Sequence, residues 1–152
     1  MSQKMDRRDF IIKSCATCLS ATVLGGFLSS CSLTKYVSGD LNENGVVIDP
    51  KEFRQNEGKG ESYRSFIIVR NETLQYPIYL YRFGENEYSA VWMQCTHQGT
   101  ELQTSGELLH CPAHGSEFNN RGRLLHGPAS TDLRNFPVTV SNDGIFIDLR
   151  KQ

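Results

Sequence analysis

The sequence predicts an all-β fold, a small antiparallel β sandwich, on three observations. Six short runs between residues 46 and 147 are rich in β-branched and aromatic residues. Gly, Asn, Asp and Pro separate these runs. After the first thirty residues, no stretch carries an apolar period of helical length.

Taken in order, the predicted strands are Val46-Val47-Ile48, Phe66-Ile67-Ile68-Val69, Tyr79 to Phe83, Ser89 to Met93, Phe136 to Val140 and Ile145-Phe146-Ile147. Gly84-Glu85-Asn86-Glu87 joins two of them, and Asn142-Asp143-Gly144 closes a hairpin in which Asp-Gly would supply positive φ angles. Pro137 has no N–H to give a ladder, so it marks an edge or a bulge. Tyr79, Trp92 and Phe136 read as core residues. There is no internal repeat and no low-complexity tract.

The N-terminus reads as a targeting segment over residues 1–30. Asp6-Arg7-Arg8-Asp9-Phe10-Ile11 resembles a twin-arginine export signal, and an apolar stretch from Cys15 to Leu28 follows. That stretch is shorter than the ~20 residues that span a bilayer comfortably. It ends at Leu28-Ser29-Ser30-Cys31, which resembles a bacterial lipobox with Cys31 as the lipidated residue. The alternative is an uncleaved membrane anchor. The Cys15-Thr17-containing C-x-x-C pair, Cys15 and Cys18, falls inside this segment and would leave with it.

Loss of residues 1–30 removes Lys4, Arg7, Arg8 and Lys13 together with Asp6 and Asp9, taking the net charge from −1 to −3. No basic face suggests nucleic-acid binding. Residues 31–45 are polar with Gly39 and Gly45 and read as a flexible tether, leaving residues 46–150 as one domain.

Two segments carry the chemistry: Cys95-Thr96-His97-Gln98-Gly99 and Cys111-Pro112-Ala113-His114-Gly115-Ser116. Together they give C-x-H-x13-C-x-x-H, one thiol and one imidazole from each of two loops. A structural Cys2His2 zinc site would accept these ligand types, but zinc spacings usually pair Cys with Cys and His with His.

This pattern resembles the ligand set of Rieske iron–sulfur proteins, and the likeness runs from about Val46 to Leu149. It implies a Rieske-type β sandwich with a two-loop cluster-binding subdomain over about residues 95–129. It also implies a [2Fe–2S] cluster, with Cys95 and Cys111 holding the inner iron and His97 and His114 the outer one. Neutral imidazoles in place of thiolates leave the cluster less negative, with potentials of roughly −150 to +300 mV.

Gly99 and Gly115 would allow tight turns and bring N–H groups to the sulfides. Ser116 matches a family serine that donates a hydrogen bond to a bridging sulfide. Gly127-Pro128-Ala129 matches the proline loop that covers the cluster in relatives. In the cytochrome bc branch each loop carries a further cysteine and the two form a disulfide; the matching positions here are Thr100 and Ala113. A tyrosine of that branch is replaced by Phe118. These departures, with a short stretch from Gln98 to His110, imply a potential between the quinol-oxidising and oxygenase-type Rieske proteins.

His110 reads as solvated, since in a strand it would face away from Cys111. His126 reads as a surface residue and the Arg121/Arg123 pair as a solvated turn. No activated nucleophile, phosphate loop or mononuclear iron triad is apparent. The expected function is one-electron transfer on the outer, periplasmic face of a bacterial membrane, with a redox partner protein or quinol and a lipid anchor. Two alternatives stand beside a free-standing carrier: the iron–sulfur subunit of a quinol-oxidising cytochrome bc-type complex, and an electron-transfer subunit of an exported oxidoreductase resembling arsenite oxidase.

Overall fold

A computed structural model describes residues 34–55 and 60–150. The targeting segment, Cys15, Cys18 and Cys31 lie outside the described residues. The strands are β1 (Tyr36–Val37), β2 (Asp40–Leu41), β3 (Gly45–Ile48), β4 (Arg54–Gln55), β5 (Ser62–Tyr63), β6 (Phe66–Val69), β7 (Ile78–Arg82) and β8 (Tyr88–Trp92). They continue as β9 (Gln103–Ser105), β10 (Leu108–His110), β11 (Glu117–Phe118), β12 (Leu124–His126), β13 (Asn135–Phe136), β14 (Val138–Ser141) and β15 (Gly144–Asp148). The one helical element among the described residues is a 3-10 turn, Pro50–Phe53, capped by the Asp49 carboxylate accepting from the Lys51 N–H.

The middle layer is a sheet in the order β1-β6-β7-β8-β13. Alternation along its strands divides the core in two. Ile68, Tyr79, Tyr81, Val91 and Met93 face one side, in a cluster with Leu109, Phe118, Cys95 and Cys111. Ile67, Val69, Ile78, Leu80 and Ala90 face the other, where they meet Val46, Ile48, Ile145 and Ile147. That second face is covered by the sheet β14-β15-β3-β2, and the first by β12-β11-β10-β9. Burial on both faces explains why β7 reads as an almost unbroken apolar run instead of an alternating one. Each fully buried Ile or Leu contributes about 1.5–3 kcal/mol.

Pro137 stands at the junction between layers. Before it β13 pairs with β8, and after it β14 pairs with β15, so the predicted strand over residues 136–140 is split between two sheets. The Pro137 carbonyl accepts from the Asp148 N–H at 2.9 Å, while the missing N–H costs neither ladder a bond.

The structure differs from the expectations in four further places. The described part of the expected tether is folded: β1 pairs with β6 and β2 with β3. The β1–β6 pairing is parallel, in an otherwise antiparallel arrangement. In the last hairpin Ser141 pairs with Gly144, so the two turn residues are Asn142 and Asp143. Only Gly144 there has a positive φ, at 136°, and the Asp143 N–H donates to the Ser141 hydroxyl. Finally, Arg121 is not simply solvated: its guanidinium lies 3.9 Å from the Phe83 ring centroid and pairs with Glu87 at 2.6 Å.

Candidate metal centre

The two cysteine-histidine segments flank the β9–β10 hairpin, one before β9 and one after β10, so the Gln103–His110 pairing brings them to the same end, and they close in the same way. In the first, the Cys95 N–H donates to the Thr100 carbonyl and the Gly99 N–H to the Cys95 carbonyl, both at 2.8 Å. In the second, the Cys111 N–H donates to Ser116 at 2.8 Å and the Gly115 N–H to Cys111 at 2.9 Å. The backbone pattern is therefore identical although histidine falls at the second position after cysteine in one loop and the third in the other. Gly99 and Gly115 have φ of 74° and 77°, and this left-handed backbone, with no crowding closer than 3.4 Å at either, is why glycine follows each histidine.

This closure shows which N–H groups the tight turns leave for sulfur. The N–H groups of Gly99 and Gly115 are engaged by the cysteine carbonyls. The N–H groups that reach sulfur are those of Ala113 and His114, which donate to the Cys111 thiolate. Burial pushes the Cys111 thiol up, but these two N–H groups and contacts from Cys95 and Thr100 outweigh it, so its net pKa lies below the ordinary thiol value. Thr100 thus touches the Cys111 sulfur from the position matched, by resemblance, to a disulfide cysteine of the cytochrome bc branch.

The four donors are sorted by depth. Cys95 and Cys111 are each 2% exposed and unpaired as thiols, and they sit in the apolar cluster with Phe118 and Leu109. His97 and His114 are exposed, with ring centroids 5.0 Å apart and planes at 87°. Among the described residues no three His, Cys, Asp or Glu side chains gather closely enough to hold one metal ion. Two soft thiols inside and two imidazoles outside are a donor set that suits a two-iron cluster, which needs a pair of ligands for each iron.

Other groups hold this arrangement in place. Ser116 is fully buried, and its hydroxyl oxygen accepts from the Ala129 N–H at 3.0 Å, fastening the Gly127-Pro128-Ala129 segment to the second loop. Pro128 itself is exposed. Thr96 donates its hydroxyl to the Thr131 carbonyl at 2.8 Å and fastens the chain just beyond that segment to the first loop. Sequence reading missed Thr96 and Thr131, because neither belongs to a spacing and they meet across 35 positions. Phe118 is fully buried, and His126 is exposed on β12 opposite Glu117. His110 lies half-buried on β10 with its Nε2 3.2 Å from Gln103 Oε1 on β9.

Residues 46–137 match the Rieske [2Fe-2S] domain family, over more than half of the chain. The chain belongs to that family. Its cofactor is accordingly a [2Fe–2S] cluster, and its work is iron–sulfur electron transfer. Among solved structures, this Rieske chain resembles the plasma-membrane Rieske protein PetC3 from Synechocystis PCC 6803, at 28% identity and a TM-score of 0.48, over 55% of this chain and 86% of that one. It also resembles the Sphingomonas yanoikuyae B1 ferredoxin, at 23% identity and a TM-score of 0.44, over 57% and 87% of the two chains. A third similar structure is the ferredoxin of carbazole 1,9a-dioxygenase from Nocardioides aromaticivorans IC177, at 18% identity and a TM-score of 0.43, over 57% and 86%. No curated protein sequence matches the chain.

Proposed function

We propose that this Rieske protein is a one-electron carrier, exported folded and lipid-anchored through Cys31 on the periplasmic face of a bacterial membrane. In this reading Cys95 and Cys111 hold the buried iron of the cluster, and His97 and His114 hold the outer one. The observation that carries it is the depth order of the donors, buried thiols beneath two exposed imidazoles. When bound, the cluster supplies a single-electron redox couple.

The chain's own residues do the rest. The apolar wall of Leu109 and Phe118 keeps water from the sulfurs. The N–H groups of Ala113 and His114 stabilise negative charge on the Cys111 sulfur. Because the Ser116 oxygen uses a lone pair to accept from Ala129, its own proton is left to donate toward the cluster side. The exposed imidazole edges of His97 and His114 offer the point at which a partner can approach.

Export fits the same picture. Iron–sulfur clusters are assembled in the cytoplasm, and the Arg7-Arg8 signal resembles that of the route carrying folded proteins. Mass spectrometry of the membrane-extracted protein tests this part: a mature chain beginning at an acylated Cys31 is expected, and an intact Met1 terminus contradicts it. A second reading is a quinol-oxidising subunit, favoured by the Ser116–Ala129 fastening of the proline loop. Phe118 and the Thr100/Ala113 pair weigh against it, since each lacks the group found in that branch. Co-purification with a large membrane partner separates the two.

A further inference from the structure

A cleft of about 410 Å³ opens beside the first loop, lined by Trp92, Gln94, Thr96, His97, Thr131 and Arg134. Here Arg134 shares a cleft with the exposed imidazole of His97. No Asp or Glu lines it. Among the described residues Arg134 makes no ion pair, and its one side-chain hydrogen bond goes from Nη2 to the Leu149 carbonyl at 3.2 Å.

The guanidinium is nevertheless held in position. It lies 4.9 Å from the Trp92 ring centroid and 4.6 Å from that of Phe136. Stacking on two rings, one of them also packed on Tyr76, spares most of the rotamer freedom a surface arginine would lose on binding. A fixed fork of N–H donors with no carboxylate of its own is matched to a carboxylate from elsewhere.

We propose that this cleft docks a redox partner protein through a carboxylate that pairs with Arg134, seating the partner's edge against His97. The partner is thus one with an acidic rim around its redox group. The chain beyond residue 30 carries a net charge of −3 and repels such a partner over most of its surface. A single unpaired cation beside His97 therefore fixes where and in which orientation the partner lands, which is the usual contribution of charge complementarity. The inference rests on the reading that electrons pass at the histidine edges.

The test uses the cluster-loaded protein in a non-ionic detergent, reduced and then mixed in stopped flow with small oxidants of opposite charge. Each encounter moves one electron, taking hexacyanoferrate(III) to hexacyanoferrate(II) or tris(phenanthroline)cobalt(III) to its cobalt(II) form. In the wild type the hexacyanoferrate(III) rate is expected to fall as salt rises, the sign of local attraction. A rate that rises with salt, as the net charge alone dictates, overturns the proposal. Arg134→Gln is expected to slow hexacyanoferrate(III) about fivefold at low salt and leave tris(phenanthroline)cobalt(III) unchanged or faster. Arg134→Lys, which keeps the charge but loses the planar stack, is expected to retain the salt dependence. Equal slowing of both oxidants with a shifted midpoint potential means that Arg134 tunes the cluster and overturns docking. A wild-type protein without a reducible cluster signal refutes the underlying redox reading instead.

Discussion

The Ser116 hydroxyl oxygen accepts the Ala129 N–H across 3.0 Å, in a site where Ser116 is fully buried. One residue of the second cysteine-histidine loop therefore anchors the segment that follows it thirteen positions later. Ser116→Ala strands that N–H without a partner, at a cost of about 1–3 kcal/mol. The expected outcome is a melting temperature lower by about 3–8 °C and a lower midpoint potential. An unchanged potential with lowered stability would confine Ser116 to fastening the loop.

Phe118 fills the space beneath the loops and gives nothing to the sulfurs. Phe118→Tyr introduces a donor at that place. If its hydroxyl reaches a ligand sulfur, a hydrogen bond of about 1 kcal/mol to the reduced state raises the potential by roughly 40 mV for one electron. Potentiometric titration of the variant beside the wild type measures this. A lower potential would show that Phe118 is not positioned toward the sulfurs.

Much of the fold was legible because the central strands β6, β7 and β8 are long enough and doubly buried, and because β15 in the covering sheet is equally apolar: all four are runs rich in Ile, Val, Tyr and Phe. The sheet under the loops was not, since β9 and β11 are two or three residues such as Gln103–Ser105 and Glu117–Phe118, too short and polar for a period of two to register. Likewise β1 and β2 form from a polar stretch whose pairing with β6 and β3 depends on distant partners. At the site, residue types and spacing pointed to the donors, whereas the Thr96–Thr131 and Ser116–Ala129 contacts exist only once the chain is folded. Nor could spacing reveal that the Gly99 and Gly115 N–H groups are taken by carbonyls.

Alkaline stability is set in the first core cluster. Burial raises the Tyr79 phenol pKa well above 10.0, helped by the nearby Tyr81 and Glu107, and the hydroxyl donates to the Gly106 carbonyl at 2.8 Å. Tyr81, donating to Glu107 at 2.7 Å, is raised too. Because the unfolded chain ionises these phenols near pH 10 while the folded chain ionises them only at higher pH, their contribution is complete below pH 10 and is lost as pH rises beyond it. Absorbance titration should show that, of the six tyrosines, Tyr79 ionises only on unfolding and Tyr81 ionises later than a free phenol. Tyr79→Phe should lose less stability than the wild type between pH 10 and 12.

The donor assignment is tested by neighbours. Cys111→Ala or His114→Ala should abolish visible cluster absorbance, whereas His110→Ala, one residue away but bonded to Gln103, should leave it intact. Loss of absorbance in the His110 variant would displace Cys111 and His114 from the assignment.

The most direct measurement is a redox titration of the purified protein followed by electron paramagnetic resonance of its reduced form. A Rieske-type spectrum, with a midpoint between those of quinol-oxidising and oxygenase-type proteins, is the predicted result. No paramagnetic signal, with zinc found in place of iron, would contradict it.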